Sequence, residues 1–421
     1  MTAGAIAAAI AVIAGFGVAV ALVAPVASRR RLGLLHPAVA WLALEAIFFG
    51  VGSLAIAIGD AEPGPGLYLG ACVVAAAAGV RLAARVGPVA AKALPPDPAI
   101  LPRAESGPRG WIPAILAAVA VAAVLPIIVA TGLPLLSGDA TGARVAFTGL
   151  TVQLVRVAIP ALAAVLLLEA LGGRPAFGRP AATVAIIGVL VAAMVALASR
   201  YLVAELAAGL VLAWLLTGRR IPARAIAAGA VVGAIAFVAV GVLRAPESFA
   251  TDTGSIAGQR TVSRLFLVQP RTLAALQATI PAEQPYFLGL TWFRRAGPLI
   301  GRDDIPNLGY WIYPKVVDAP QAVAGYAAPG LIGEAWANFG PAGVLLFVPF
   351  GMAMEALAAW IAVRRERVVD MAAGALAIVF VARTHALGLL GLGVLVVLLA
   401  GWWLLAGARL HMKEVPGPAD G

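Results

Sequence analysis

Long apolar runs separated by short polar interruptions recur along nearly the whole chain. A helix needs about 20 consecutive apolar residues to cross the hydrocarbon core of a bilayer, and the first run, 3–27, has that length. Nothing basic precedes it and Arg29, Arg30 and Arg31 follow it, so it reads as a spanning helix with its N-terminus outside, not as a cleavable leader. Ten further runs predict spans at 38–58, 67–86, 111–133, 147–171, 181–198, 202–217, 225–243, 340–363, 371–386 and 389–406. The residues between them mark the turns. Asp60-Ala61-Glu62 closes the second span, the Pro-rich stretch KALPPDPAILPRAESGPR at 92–109 reads as a cytoplasmic connector disordered in part, and Arg219, Arg220 and Arg224 precede the eighth span. No internal repeat is visible.

The pattern divides the chain into an N-terminal bundle of about eight helices at 1–243, a large extracytoplasmic loop at 244–327, three C-terminal helices within 328–407 and a cytoplasmic tail at 408–421. Within the loop, SRLFLVQPRTLAALQ predicts a short amphipathic helix on the interface. A stretch rich in aromatics, arginine and aspartate follows it, PYFLGLTWFRRAGPLIGRDDIPNLGYWIYPK.

Composition agrees with the pattern. The chain is 62% hydrophobic and only 12% charged, which no water-soluble core of 421 residues requires. The expectation is an all-α, polytopic membrane protein. The net charge of +10 raises nucleic acid as a partner, but membrane loops carry excess arginine and lysine for topological reasons alone. The distribution fits that cause: of 30 such residues, 18 fall in inner loops and the tail, eight in the large outer loop, and only Arg144 and Arg200 in short outer turns. Nucleic acid is therefore not an expected partner. One cysteine, Cys72, excludes an intrachain disulfide, and the histidines His36, His385 and His411 lack metal-ligand spacing.

Candidate chemistry lies with ionisable groups at the outer boundary: Arg144, Arg200, Arg264, Arg294, Arg295, Glu334, Arg383 and His385, with Arg156 deeper in a span. Guanidinium groups facing one aqueous boundary suit a pyrophosphate, because each offers two aligned donors and keeps its charge. Glu334 is the carboxylate among them, and in a helix it shares a face with Asn338. Trp336 lies between the two. Plainer readings stand beside these. Arg200 suits snorkelling to lipid phosphates as well as function, Arg294 and Arg295 with Trp292 and Phe293 suit an interfacial belt, and His385 alone suits a buried structural histidine. Glu45, Glu169, Glu205 and Glu355 read as structural, and Cys72 as packing.

The segment GYAAPGLIGEAWANFGPAGVLLFVPFGM resembles one in Wzy-type oligosaccharide repeat-unit polymerases, the O-antigen polymerase family. There a small-residue turn precedes an acidic residue, an aromatic, Asn-Phe-Gly and a hydrophobic span. GLPLLSGDATGAR is similar to that family's Gly-Ile-Pro-Leu-Leu turn followed by arginine, and ALASRYLV to its small-residue entry into a helix at an arginine. The matches fall in order over about residues 131 to 386.

The resemblance implies a multi-helix GT-C-like fold in the bacterial cytoplasmic (inner) membrane. It implies transfer of a growing glycan from a polyprenyl (undecaprenyl) pyrophosphate carrier to a new lipid-linked repeat unit on the outer face, with no nucleotide sugar, cofactor or catalytic metal. Arg144, Arg200 and Arg383 match the family's arginines, and Glu334 and Asn338 its acidic and amide positions. The loop does not align, so Arg264, Arg294 and Arg295 are assigned from charge and position alone. Expected partners are the lipid-linked oligosaccharide, the bilayer, a chain-length regulator and a flippase. A ligase moving finished glycan to another acceptor is the alternative within this chemistry, and a flippase or transporter of lipid-linked oligosaccharide is the alternative outside it.

Overall fold

The computed structural model describes residues 2–59, 65–86, 111–122, 124–125, 129, 150–196, 200–219, 266–292, 304–317, 326–363 and 368–387. These residues are helical, with turns and bends but no strand among them. Four stretches are long and apolar enough to cross a bilayer: Ala3–Arg29, Pro37–Ile58, Gly66–Val86 and Gly330–Val363. They correspond to the first, second, third and ninth expected spans. The fourth to seventh meet the shorter apolar helices Trp111–Ala122, Val157–Leu171, Pro180–Ala196 and Leu202–Leu216, and the tenth falls in Val368–Leu387. The eighth and eleventh expected spans and the tail lie outside the described residues.

The chain forms two compact units, one comprising 1–96, 246–363 and 381–391, the other 97–245, 364–380 and 392–421. In the first, α1 (Ala3–Arg29) is capped by Thr2, whose hydroxyl accepts from the Ala5 N–H at 3.2 Å. Its inward face is small, with Ala5, Ala8, Val12, Gly15 and Ala19 buried, while Ile6, Ile10, Ile13, Val18 and Val20 stand outside. In water the larger side chains would be the ones to bury. The reverse order suits a lipid solvent, where close backbone approach drives association.

That approach is visible along α4 (Gly66–Val86), which packs against α1 on one side and against α12 (Phe347–Val363) on the other. A Cβ added at Gly70 would sit 2.6 Å from the Ala11 carbonyl oxygen, and one at Gly66 2.7 Å from that of Ala8. On the opposite side, a Cβ at Gly79 would overlap the Val348 carbonyl and one at Gly351 that of Ala76. The helices meet backbone to backbone, so α4 forms the axis of this unit.

At the basic end of α1 the unit is tied by a buried ion cluster. Arg30 donates to Glu355 Oε1 through Nε at 2.9 Å and Nη2 at 2.7 Å, and His36 Nε2 lies 2.9 Å from Glu355 Oε2. His36 Nδ1 accepts from the Ala38 N–H and so caps α2 (Pro37–Glu45), which places the ring proton on Nε2, facing the carboxylate. After Glu45 the helix widens into a π turn, Ala46–Gly50, before α3 (Val51–Gly59). Trp41 of α2 packs on Phe347 and Phe350 of α12, with ring centroids 6.1 and 5.3 Å away.

The second unit packs α5 (Trp111–Ala122), α6 (Leu150–Leu171), α7 (Pro180–Ala196) and α8 (Arg200–Leu216) around Ile159, Leu166, Leu190, Met194 and Leu206. Between α6 and α7 the Ala176 N–H donates to Thr183 Oγ1 at 2.8 Å, tying the turn to the helix that follows.

Candidate functional site

The expected interfacial helix is α9 (Val268–Thr279), which packs against α10 (Leu308–Val317) and α11 (Gly330–Phe339) around Leu276, Ile280, Phe287, Leu308 and Ile312. Helix α11 carries Glu334, Trp336 and Asn338. A seven-residue 3-10 helix, Gly340–Leu346, joins it to α12. Gly340 has φ +58° and ψ −138°, a region in which a side chain is strained, and a Cβ there would press on the Tyr286 ring. Glycine is therefore required where α11 turns into the apolar run.

A helix end leaves its last carbonyls without intrahelical donors, and here an earlier part of the chain supplies them. The Phe287 N–H donates to the Ala337 carbonyl at 3.1 Å and the Leu288 N–H to that of Asn338 at 3.0 Å. The Asn338 side chain completes the joint. Its Oδ1 accepts from the Gly289 N–H at 2.9 Å, and its Nδ2 donates to Thr291 Oγ1 at 2.6 Å and to the Glu334 carbonyl at 2.8 Å. The joint costs backbone strain at Leu288, whose φ is 50°, while Gly289 takes its φ of 88° freely.

The joint brings Trp292 to Glu334. The indole Nε1 donates to Glu334 Oε2 at 3.1 Å, and the ring lies 5.4 Å from that of Phe339. Glu334 is half-buried, so its carboxylate is held in one orientation while remaining open to solvent. Trp336 is anchored rather than presented. Its Nε1 donates to the Ile280 carbonyl at 3.2 Å, and its ring meets Tyr68 edge-on at 5.0 Å. A partly exposed carboxylate that accepts from the Trp292 indole can take a proton from a hydroxyl, and the Trp292 and Phe339 rings, packed on each other, can cover an apolar sugar face.

The expected same-face pairing of Glu334 and Asn338 is present, but the amide bonds the Glu334 main chain and the 287–292 segment, not the carboxylate. Arg383 is buried in the last turns of α13 (Val368–Leu387), in the portion belonging to the first unit, and His385 follows on the same helix. Arg156 on α6 and Arg200 at the start of α8 belong to the second unit. Arg144, Arg264, Arg294 and Arg295 lie outside the described residues. Trp292 is the partner that sequence reasoning assigned only to an interfacial belt. It sits 42 positions from Glu334, and no local periodicity links the two. Of the glutamates read as structural, Glu355 is fully engaged by Arg30 and His36. Among the described residues no group of three or more His, Cys, Asp or Glu could hold a metal ion. No protein-family model matches the chain, and no curated protein and no solved structure matches it significantly.

Proposed function

We propose that the chain is a membrane glycosyltransferase of the Wzy type, polymerising lipid-linked oligosaccharide repeat units at the outer face of the bacterial cytoplasmic membrane. The observation that carries this reading is the Glu334 carboxylate, posed by Trp292 at the point where the extramembrane segments join the apolar helix that ends at Val363. In the reaction, Glu334 takes the proton of an acceptor sugar hydroxyl. The hydroxyl oxygen then forms a bond to the anomeric carbon of the donor glycan, and the bond from that carbon to the polyprenyl pyrophosphate breaks with the electron pair leaving on oxygen. A pyrophosphate leaving group needs positive charge more than it needs a proton, and Arg144, Arg200 and Arg383 are the groups assigned to supply it. Asn338 serves by holding the segment that carries Trp292.

One observation favours transport of the same lipid-linked oligosaccharide instead: a buried carboxyl, Glu45, inside a candidate span. A single experiment separates the readings. Surface glycan from cells lacking the protein, complemented with wild type or Glu334→Gln, is resolved by length on a gel. Single-repeat product in the deletion, with a ladder restored by wild type but not by Glu334→Gln, supports polymerisation. A ladder restored by Glu334→Gln removes Glu334 as the base. Full-length glycan retained on its lipid carrier identifies a ligase, and loss of all outer-face product identifies a transporter.

A further inference from the structure

Glu45 lies in the last turn of α2 with none of its surface exposed. Neither carboxyl oxygen has a hydrogen-bond partner among the described residues. The Trp41 indole N–H, one turn earlier, faces the carboxyl without closing a bond of good geometry, and it too is unpartnered there. The Cys72 thiol of α4 lies within electrostatic reach of Glu45 and next to Tyr68, and the Tyr68 hydroxyl is likewise buried without a hydrogen-bond partner among the described residues. Buried polar atoms of this kind are few in a folded protein, and each calls for an explanation. Four of them belong to one connected set, Trp41–Glu45–Cys72–Tyr68, and the helix departs from α geometry immediately after the carboxyl. Single π turns of this kind concentrate at functional sites.

The charges around Glu45 decide which ligand fits. Helix α1 has no titratable side chain before Arg29. On α4 the facing groups are Cys72 and Tyr68, while Arg81 and Arg85 sit in its final turns. On α12 the titratable group is Glu355, which Arg30 and His36 already occupy. No guanidinium or ammonium group among the described residues therefore neutralises Glu45. A bare carboxylate in an apolar interior costs several kcal/mol, so a cation must accompany it. Indole, phenol and thiol are poor ligands for alkali and alkaline-earth ions, which take shells of carboxylate, carbonyl and water oxygens.

We propose that Glu45 is an intramembrane proton-binding site, the carboxyl taking its proton from water and returning it to water by way of the Cys72 thiol and the Tyr68 hydroxyl, with the Trp41 indole N–H facing it only as a donor. The proposal does not rest on glycosyl transfer, since none of these residues takes part in that chemistry.

The test is infrared spectroscopy of the full-length protein in lipid at neutral pH, comparing wild type with Glu45→Gln. The expected result is a protonated-carboxyl C=O band that is lost in the variant and shifts when wild type is moved into D2O. Absence of such a band from the difference spectrum overturns the proposal, and so does a band that fails to shift in D2O. A band that disappears on addition of sodium chloride at fixed pH assigns the site to sodium and also overturns it. A second measurement needs only wild-type protein: dicyclohexylcarbodiimide reacts with protonated carboxyls in apolar surroundings, and mass spectrometry should find its adduct at Glu45. No adduct at Glu45 overturns the proposal even if the variant does not fold.

Discussion

Replacing Glu355 by alanine removes the acceptor of three hydrogen bonds, two from Arg30 and one from His36, in a cluster where all three side chains are almost wholly enclosed. Bonds to charged groups contribute about 1.5–3 kcal/mol each, which sets a ceiling on the loss. Arg30 recovers part of it, because it stands at the end of α1 between Arg29 and Arg31 and can swing to the aqueous boundary. His36 cannot follow. Its Nδ1 is held by the Ala38 N–H, so its Nε2–H is left buried without an acceptor. Breaking a buried pair from one side costs about 3–5 kcal/mol, and the lower figure applies given the freedom of Arg30. For a body the size of the first unit this lowers the unfolding midpoint by about 6 °C or more, measured by intrinsic fluorescence on detergent-solubilised protein. The double variant Arg30→Met with Glu355→Met removes both charges but still leaves the His36 Nε2–H without an acceptor, so it should regain only the part of the loss that the stranded Arg30 charge contributes. A Glu355→Ala midpoint within about 1 °C of wild type, or strict additivity in the double variant, would refute the reasoning.

Two further outcomes are expected. Asn338→Ala removes both side-chain bonds that hold 287–292 against α11, to Gly289 and Thr291, so limited proteolysis should cut between Pro281 and Trp292 faster than in wild type; an unchanged cleavage rate would show that the main-chain bonds alone secure the segment. Gly351→Ala drives a Cβ into the Ala76 carbonyl and should reduce the monodisperse fraction on size-exclusion chromatography, whereas Gly17→Ala, with nothing within 4 Å of the added carbon, should leave it unchanged or slightly raised; equal behaviour of the two would contradict the backbone contact between α4 and α12.

The elements that hydropathy alone specifies were legible. The first three spans end within two residues or so of where the apolar runs do, and the amphipathic stretch is helical from Val268 onward, because composition decides these features locally. The π turn after Glu45 was not legible, since Ala46-Ile-Phe-Phe-Gly50 reads equally well as regular helix. The ninth span was read from Gly340, where the backbone does leave helical geometry, yet the helical stretch already starts at Gly330. Its first ten residues mix Glu334, Trp336 and Asn338 among small side chains, and their burial comes from α9 and the 287–292 segment rather than from lipid. The pairing of Glu334 with Trp292 and that of Glu355 with Arg30 and His36 join positions 42 to 325 residues apart. Only the folded chain reveals such pairs, because charge and periodicity carry no information about which distant partner a side chain meets.

The latch between 287–291 and the end of α11 also orders events in time. Ribosomes deliver Trp292 before Glu334, so the indole exists first without a carboxylate to steer, and the carboxylate is posed only when the later helix returns to the waiting segment. A chain interrupted anywhere in between has the indole but no Glu334 carboxylate for it to hold. On the role proposed for Glu334, an incomplete copy inserted in a membrane has no base to offer.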